Sequence, residues 1–222
     1  MIELREIYKE FKYGDSVQGV LNGINLDIKD GDFITIMGKS GSGKTTLLNH
    51  LALLLEPSKG KIIFNNKEVN FKKESEVNTI RKKHYGLIFQ NPNLIPCLNP
   101  LENVLIASDK DDKKTRNIAI DLLNKVGLAD KIKCDVKALS GGEAQRVAIV
   151  RALINEPDII LCDEPTGALD EKNSKNIIDL LLDIKKEKNC SLIIVTHDNL
   201  IGELGSRRLI IEEGKVNALK PR

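Results

Sequence analysis

Short, continuous runs of apolar residues recur along the chain, each about the length of one strand. Runs of this kind, bounded by turn or polar residues, are typical of strands that are buried on both faces of a sheet. They predict strands at 33–37, 61–64, 85–89, 159–162 and 191–196.

Between these runs the apolar residues follow a helical spacing instead. Helices are predicted at 46–55, 74–83, 141–155 and 171–187. In the first of them Pro57 is expected to stop the helix. Its apolar face is formed by five leucines, namely Leu47, Leu48, Leu51, Leu54 and Leu55. Helices that alternate with short apolar strands predict an α/β fold with a mostly parallel sheet.

Both ends of the chain show patterns that favour antiparallel strands. Residues 2–10 and 17–28 read as two strands around a turn at 13–16, and the second alternates with a period of roughly two. Strands at 208–212 and 215–219 flank a second turn at Glu213-Gly214. The first pair predicts an antiparallel β subdomain at the N-terminal side of the parallel sheet.

The middle of the chain lacks the short apolar runs that predict strands, and it contains prolines and charged segments instead. Two prolines exclude regular structure from the segment Gln90–Pro96, and residues 100–137 read as helices with charged connections. The charged run 109–114 is interpreted as a solvated connection. The apolar stripe of this region consists of Ile118, Leu122, Leu123 and Val126.

Composition narrows the classes of function. Hydrophobic residues make up 41% and charged residues 30% of the chain, and the net charge is +2, so nucleic acid is not an expected partner. No apolar run approaches the ~18–20 residues of a membrane span, and charged residues appear within the first six positions. We therefore expect a cytoplasmic protein whose role at a membrane comes through partners.

The first candidate for chemistry is the stretch Gly38-Lys39-Ser40-Gly41-Ser42-Gly43-Lys44-Thr45-Thr46. It fits the pattern G-x-x-x-x-G-K-[ST] between a predicted strand and a predicted helix. Glycines let the backbone turn its N–H groups towards an anion, and the helix N-terminus adds positive charge. Lys44 would reach the β- and γ-phosphates, and the Thr45 hydroxyl would ligate Mg²⁺. The alternative, a Gly/Ser-rich turn with a coincidental lysine, leaves the flanking strand and helix unexplained.

Three further candidates follow buried strands. Ligands bind at the carboxyl ends of parallel strands, which makes Asp163 the candidate Mg²⁺ ligand rather than only a helix cap. The adjacent Glu164 is placed to orient or deprotonate a water that attacks the γ-phosphate. His197 ends at the same edge, where it would sense the γ-phosphate; a structural or surface histidine is the alternative.

A second site suited to an anion lies at Ser140-Gly141-Gly142, directly before the predicted helix 141–155. Small residues there leave the first N–H groups of the helix accessible. One ATP has little use for a second such site on the same subunit, whereas two facing subunits would use both. The pattern therefore favours a dimer around nucleotide.

The segment Leu139-Ser140-Gly141-Gly142-Glu143 resembles the signature of ATP-binding-cassette (ABC) ATPases, and the other motifs occur along the whole chain in the order typical of that family. The resemblance implies that 38–46 is the Walker A loop, Asp163 the Walker B acid and Glu164 the catalytic base. It also implies that Ser140, Gly141 and Gly142 bind the γ-phosphate of the ATP held by the opposite subunit.

The same resemblance assigns roles that spacing alone does not. Gln90 corresponds to the Q-loop glutamine, which touches Mg²⁺ and the attacking water, and His197 to the switch histidine. Ala168-Leu169-Asp170 corresponds to the D-loop, with Asp170 among the nucleotide-binding residues. The aromatic residue that stacks on adenine falls at Phe11, with Tyr13 as the competing position.

Within the family, the chain is similar to the cassettes of lipoprotein, macrolide and antimicrobial-peptide exporters. The similar segments are Ile36-Met37-Gly38, Asn93-Leu94-Ile95-Pro96 and Pro165-Thr166-Gly167-Ala168-Leu169-Asp170. The departures are Phe11 where tyrosine is usual, Lys39 for proline, Glu143 for glutamine, and a shorter segment between Gln90 and Ser140.

The resemblance implies one ABC ATPase domain over 1–222. Residues 1–90 and 151–222 would form the P-loop NTPase core with its antiparallel β subdomain, and 91–150 the helical subdomain with the signature.

The resemblance further implies that the protein binds and hydrolyses ATP with Mg²⁺ as a head-to-tail homodimer. The dimer would drive an integral membrane permease that exports a peptide, lipoprotein or macrolide-type substrate, and would lie at the inner face of the cell membrane. The alternative is the ATPase of a membrane complex without transport, such as one for cell division.

Overall fold

A computed structural model describes residues 1–14, 16–110 and 112–219. The chain divides into two units, one formed by Met1–Arg81 with Ser191–Arg222 and the other by Lys82–Cys190. The strands are β1 (Ile2–Tyr13), β2 (Ser16–Ile28), β3 (Phe33–Met37), β4 (Lys59–Phe64), β5 (Lys67–Glu68), β6 (Tyr85–Phe89), β7 (Ile159–Asp163), β8 (Ser191–Thr196), β9 (Arg207–Glu212) and β10 (Lys215–Ala218). The helices are α1 (Lys44–Leu51), α2 (Glu74–His84), α3 (Pro100–Leu105), α4 (Lys113–Lys125), α5 (Gly141–Leu153), α6 (Glu171–Lys188) and α7 (Asn199–Gly202).

The first unit contains the predicted antiparallel sheet, with strand order β2-β1-β4-β5. Strand β1 continues three residues beyond the predicted end at residue 10, because Phe11, Lys12 and Tyr13 still pair with β2. Irregularities in the pairing near Ile7 let this long strand bend while Ile2, Leu4 and Ile7 stay buried. Asp15, in the predicted turn, lies outside the described residues.

The first unit also contains a parallel set of strands. Strand β3 lies between β8 and β9 and is parallel to both, and β10 pairs antiparallel with β9. All six residues of β8 are buried, as the continuous apolar run predicted. The register places Met37 opposite Thr196, so the residues that follow β3 and β8 emerge at one edge of the sheet.

Helix α1 is shorter than predicted. Ala52 is its C-cap, and Leu53 has a positive φ of 55°, which a continuing helix does not allow. Leu54 is consequently exposed, whereas Leu47, Leu48 and Leu51 are buried. The prediction of a helix to residue 55 was wrong because the backbone leaves the helix five residues before Pro57.

The second unit combines a parallel pair of strands with helices. Strands β6 and β7 pair in register from Tyr85 opposite Ile159 to Phe89 opposite Asp163. A hydrophobic core joins α3, α4 and α5 through residues such as Val104, Leu123 and Val147. Ile118, which the stripe placed on the apolar face of α4, is 39% exposed, and Ala119 takes the buried position instead.

Polar caps set where these helices begin. Asn99 and Glu102 form a capping box in front of α3, whose first residue is Pro100. Asp112 caps α4, so the charged run 109–114 contains a helix start as well as exposed residues. Asp111, in that run, lies outside the described residues. Parallel strands, an antiparallel sheet and interleaved helices confirm the predicted α/β class.

Candidate functional site

The predicted phosphate loop joins β3 to α1 in the first unit. Gly43 is the N-cap of α1 with φ of 101°, and Gly41 has φ of 77°. Both values lie in the left-handed region, which glycine adopts without strain. The loop is closed by a hydrogen bond from Ser42 N to Lys39 O (3.2 Å). Its path therefore depends on the glycines that define the motif.

Gly38 is required for a different reason, namely close packing. A Cβ atom at this position would lie 2.6 Å from the Ile211 carbonyl oxygen and 2.6 Å from Ser42 Oγ. Strand β9, which contains Ile211, therefore approaches the start of the loop too closely for any side chain. This contact explains why the first glycine of the motif is needed although its φ is not positive.

Lys44 is buried, with its side chain folded into the loop. Its Nζ donates to the carbonyl oxygens of Gly38 (2.9 Å) and Lys39 (3.0 Å). Ser42 Oγ is buried and has no hydrogen-bond partner in the part of the chain that the structure describes. Buried polar atoms of this kind call for a ligand, and a lysine, a hydroxyl and turned N–H groups suit an anion.

A cavity of about 760 Å³ borders the outer side of this loop. Lys39, Ser40, Gly41 and Ser42 line one wall. The other walls come from β2 and from the β9–β10 hairpin. The lining residues there are Gln18, Gly19, Val20 and Asn22, and Ile211, Glu212, Glu213, Gly214, Lys215 and Asn217. The hairpin is fastened to β2 because Asn22 N donates to Gly214 O (2.8 Å).

Phe11, the candidate for stacking on adenine, pairs with Gln18 at the end of β1 and is half-buried. The ammonium group of Lys9 lies 5.4 Å from the centre of its ring and donates to Glu56 O (2.8 Å). The Lys9 ammonium therefore lies within cation–π distance of the Phe11 ring. The competing Tyr13 has a described backbone, but its side chain lies outside the described part.

His197 follows β8 directly, and the structure places it at the same sheet edge as the phosphate loop in the first unit. Its side chain is exposed. His50, by contrast, is buried within α1, with Nδ1 2.6 Å from Thr46 O, and its burial lowers its pKa. His50 is therefore a neutral structural residue.

The second unit brings together Gln90, Asp163 and Glu164. Gln90 follows β6 and Asp163 ends β7, and these strands are parallel neighbours. A Cβ at Gly167 would lie 2.7 Å from Gln90 Nε2, so the Gln90 amide packs against the loop that follows Glu164. Glu164 itself has a positive φ of 46°, uncommon for a residue with a side chain and frequent at functional sites.

Ser140 caps α5 in a capping box with Glu143. Ser140 Oγ accepts from Glu143 N (3.3 Å), and Glu143 Oε2 accepts from Ser140 N (2.8 Å). The N–H groups of Gly141 and Gly142 have no hydrogen-bond acceptor within the helix, because they lie in its first turn. The hydrogen bond from Lys131 and that from Ser140 N lower the pKa of Glu143 to about 2.

The D-loop candidate Asp170 caps α6. Its Oδ1 accepts from Asn173 N (2.9 Å) and its Oδ2 from Asn173 Nδ2 (2.7 Å). Asn173 in turn lies against the signature: a Cβ at Gly142 would be 2.7 Å from Asn173 Oδ1. Asp170 and the signature glycines are therefore linked within one unit by a single side chain.

Three polar residues near Gln90 were missed by the sequence reasoning. Asn103 is fully buried, accepts from Ile95 N (2.7 Å), and its amide nitrogen lies 3.0–3.2 Å from the carbonyl oxygens of Ile95, Leu98 and Asn99. Gln145 and Arg151 of α5 bind the backbone on either side of Gln90. An asparagine inside an otherwise apolar helix face was the available signal for Asn103.

Comparison with known proteins identifies the family of the chain. A family model described as ABC transporter matches residues 21–167. The chain belongs to the ABC transporter family, and it is an ATP-binding cassette that hydrolyses ATP. No helix in the described residues is both long and apolar enough to span a membrane.

Among its relatives, the chain is 44% identical over 200 residues to the lipoprotein-releasing system ATP-binding protein LolD of Aquifex aeolicus, covering 89% of each chain. It is also 42% identical over 221 residues to the macrolide export ATP-binding/permease protein MacB of Bdellovibrio bacteriovorus. That match covers 98% of this chain and 34% of MacB. A solved dimeric cassette in a post-hydrolysis state, bound to ADP and phosphate, superposes with a TM-score of 0.90 at 36% identity over the whole of both chains.

Proposed function

We propose that the chain is the ATPase subunit of an exporter and works as a head-to-tail dimer. ATP would be held between residues 38–46 of one copy and Ser140-Gly141-Gly142 of the other. The proposal is supported by two places in one chain where backbone N–H groups suit an anion. One is the phosphate loop, and the other is the N-terminus of α5, where the first N–H groups have no acceptor within the helix. The solved relative that matches over its full length is a dimer bound to ADP and phosphate.

Each residue of the phosphate loop has a proposed role. Residues 38–46 surround the phosphates with N–H groups, and Lys44 exchanges its two carbonyl partners for the β- and γ-phosphates. Phe11 stacks on adenine with the face opposite Lys9. Thr45, Gln90 and Asp163 supply a hydroxyl, an amide oxygen and a carboxylate, which are the oxygen donors that Mg²⁺ prefers. When bound, Mg²⁺ neutralises charge on the phosphate oxygens.

Hydrolysis is proposed to proceed by in-line attack of water on the γ-phosphate. Glu164 takes the proton from the attacking water, and Gln90 helps to orient that water. Lys44 and His197 stabilise the negative charge that develops on the transferred phosphoryl group. Asp170 keeps Asn173 against Gly142 and so supports the signature glycines of its own subunit.

The γ-phosphate satisfies donors from both copies, so its release after hydrolysis loosens the dimer. This motion would pass through Gln90 and the Leu94-Ile95-Pro96 surface to an integral membrane permease. We propose residues 91–150 as the helical subdomain that meets this permease, with 1–90 and 151–222 as the ATP-binding core. The LolD and MacB relatives suggest lipoprotein or macrolide-type cargo.

Co-purification tests the permease. The tagged chain, extracted in mild detergent from its own cells, should retain an integral membrane protein that mass spectrometry identifies as an exporter permease. The variant Ile95→Asp, which places a charge on the half-buried docking surface, should lose that partner but still bind ATP. Recovery of a cell-division protein without a transport channel would favour the alternative function, and retention of the partner by Ile95→Asp would contradict the docking surface.

A further inference from the structure

Gln90 is followed by a segment without regular structure, yet the backbone on both sides of it is held. On the N-terminal side, Nε2 of Gln145 donates to Phe89 O at 3.1 Å. Gln145 is 1% exposed, and a buried amide gives up this bond only at the cost of an unsatisfied polar group. Phe89 is therefore fixed to α5 one residue before Gln90.

On the C-terminal side, Arg151 makes two bonds of the same kind. Its Nη2 donates to Pro92 O (2.6 Å) and its Nη1 to Asn93 O (2.9 Å). A guanidinium offers donors in a fixed fork, so two neighbouring carbonyl groups bound together are also oriented. Asn93 has a positive φ of 48°, and this fork holds its carbonyl in place.

Both contacts come from one helix, α5. Gln145 and Arg151 are six residues apart on one helix, a distance of about 9 Å along its axis. Three residues from Phe89 to Pro92 span at most about 10 Å. Gln90 therefore lies between two points at which its segment is attached to α5.

The side chain of Gln90 is confined from a third direction. Gly167 has no side chain, and a Cβ there would come within 2.7 Å of Gln90 Nε2. The amide of Gln90 therefore rests on the loop that follows Glu164. Small displacements of the segment 89–93 would shift this amide against that loop.

We propose that Gln145 and Arg151 are positioning residues for Gln90. They fix the path of the segment 89–93 and connect it to the same helix whose N-terminus carries Ser140. A shift of α5 therefore moves the signature and both flanks of Gln90 together. The inference rests on the proposed role of Gln90 in hydrolysis and adds the side chains through which that role is maintained.

Steady-state ATPase measurements on the purified chain with saturating MgATP test the proposal. Arg151→Met keeps the apolar stem and removes the guanidinium, and it should lower kcat about tenfold, the rate equivalent of one charge-assisted hydrogen bond. KM for MgATP should change by less than about twofold, because the phosphate loop is untouched. Arg151→Lys, which retains the charge, should recover part of the rate.

The decisive readout is a double-mutant cycle with Gln90→Ala. If Arg151 acts through Gln90, then Arg151→Met should lower kcat by less than about twofold in the Gln90→Ala background. An equal loss in both backgrounds would overturn the positioning role, as would an unchanged kcat in Arg151→Met alone. A Gln90→Ala variant with wild-type turnover would instead refute the proposed role of Gln90, and the positioning role with it.

Asn155→Leu is the matched control. Asn155 also donates to backbone carbonyl groups, those of Ala107 (2.7 Å) and Lys82 (3.2 Å), but not to the segment 89–93. It should lower the melting temperature while kcat stays within about twofold of wild type. A tenfold loss in this control would mean that general loosening explains the effect. Should Arg151→Met fail to fold, Gln145→Met at the other flank must give the same cycle.

Discussion

The phosphate loop and the Gln90 segment are both short, irregular stretches that follow a buried strand, but they obtain their shape in different ways. The loop is shaped largely by its own glycines and by bonds within it, such as Ser42 N to Lys39 O. The segment 89–93 is held by Gln145 and Arg151, which lie 56 to 59 residues further along the chain. One shape is therefore encoded locally, and the other depends on the folded helix α5.

The difference in how the two stretches are shaped suits two different roles, nucleotide binding and the control of turnover. A loop of backbone N–H groups suits binding, because its donors do not depend on side-chain rotamers. A glutamine placed by distant side chains suits regulation, because whatever moves the helix also moves the glutamine. Mutations should therefore separate nucleotide binding from turnover.

The largest expected effect comes from Glu164→Gln, which keeps the shape and removes the proposed base. Turnover should fall by about 10²–10⁴-fold, because proton transfer from the attacking water is lost. ATP binding at the phosphate loop should persist, and dimers should accumulate in ATP. Phosphate release and gel filtration measure both. Glu171→Gln, on the exposed first turn of α6, is the control, and wild-type turnover in Glu164→Gln would refute the base assignment.

The next effect is expected from Ser140→Arg, which places a long cation where the partner's γ-phosphate is proposed to bind. ATP-dependent dimerisation should be lost, while nucleotide binding to the monomer should remain. Light scattering with and without ATP measures the first, and equilibrium binding the second. Ser140→Thr keeps the hydroxyl and the helix cap, so it should still dimerise. An unchanged dimer in Ser140→Arg would contradict a role across the interface.

Two glycines of the phosphate loop separate the constraint from packing against β9 from the local constraint of a positive φ. Gly38→Ala introduces contacts of 2.6 Å with Ile211 O and Ser42 Oγ, and overpacking of this kind costs about 1–3 kcal/mol. At Gly41 there is open space, and only the positive φ opposes alanine, at about 1 kcal/mol. Urea denaturation of both variants should rank Gly38→Ala as the less stable. If Gly41→Ala were the less stable variant, β9 would have to move away from the loop to accommodate the alanine at position 38.

The smallest effect concerns the pair Glu143 and Lys131 at the start of α5. Because the folded pKa of Glu143 is lowered to about 2, its contribution to stability is complete above the unfolded pKa and is lost as the pH falls towards 2. Glu143→Gln keeps the capping box but removes the charge, so it should lose less than about 1 kcal/mol at pH 7. Urea midpoints of the two proteins should converge between about pH 4 and pH 2. A difference that stayed constant with pH would exclude the ion pair as its source.

Local rules predicted most of the fold. Continuous apolar runs predicted the parallel strands, and the small residues Ser140-Gly141-Gly142 marked the start of α5. The end of α1 could not be predicted, because Leu53 adopts a left-handed backbone that its residue type disfavours. The three residues from Phe11 to Tyr13 joined β1 through pairing with β2, which periodicity does not report.

The candidate site divides in the same way. The candidates Gly38 to Thr46, Asp163 and Ser140 could be proposed from the sequence, because each lies in a recognisable pattern of neighbouring residues. Gln145 and Arg151 were not found, because their partners are backbone carbonyl groups without a sequence signature. Side chains that serve distant backbone are therefore the part of the site that needs the folded structure.

Asn103 shapes the proposed docking loop through main-chain atoms alone. All of its bonds to the loop between Ile95 and Asn99 go to main-chain atoms, so the identity of the side chains at 95–97 does not enter. Substituted side chains at these positions would leave the hydrogen bonds that hold the loop backbone unchanged. A graft of residues 95–99 into another cassette should therefore carry Asn103 with it.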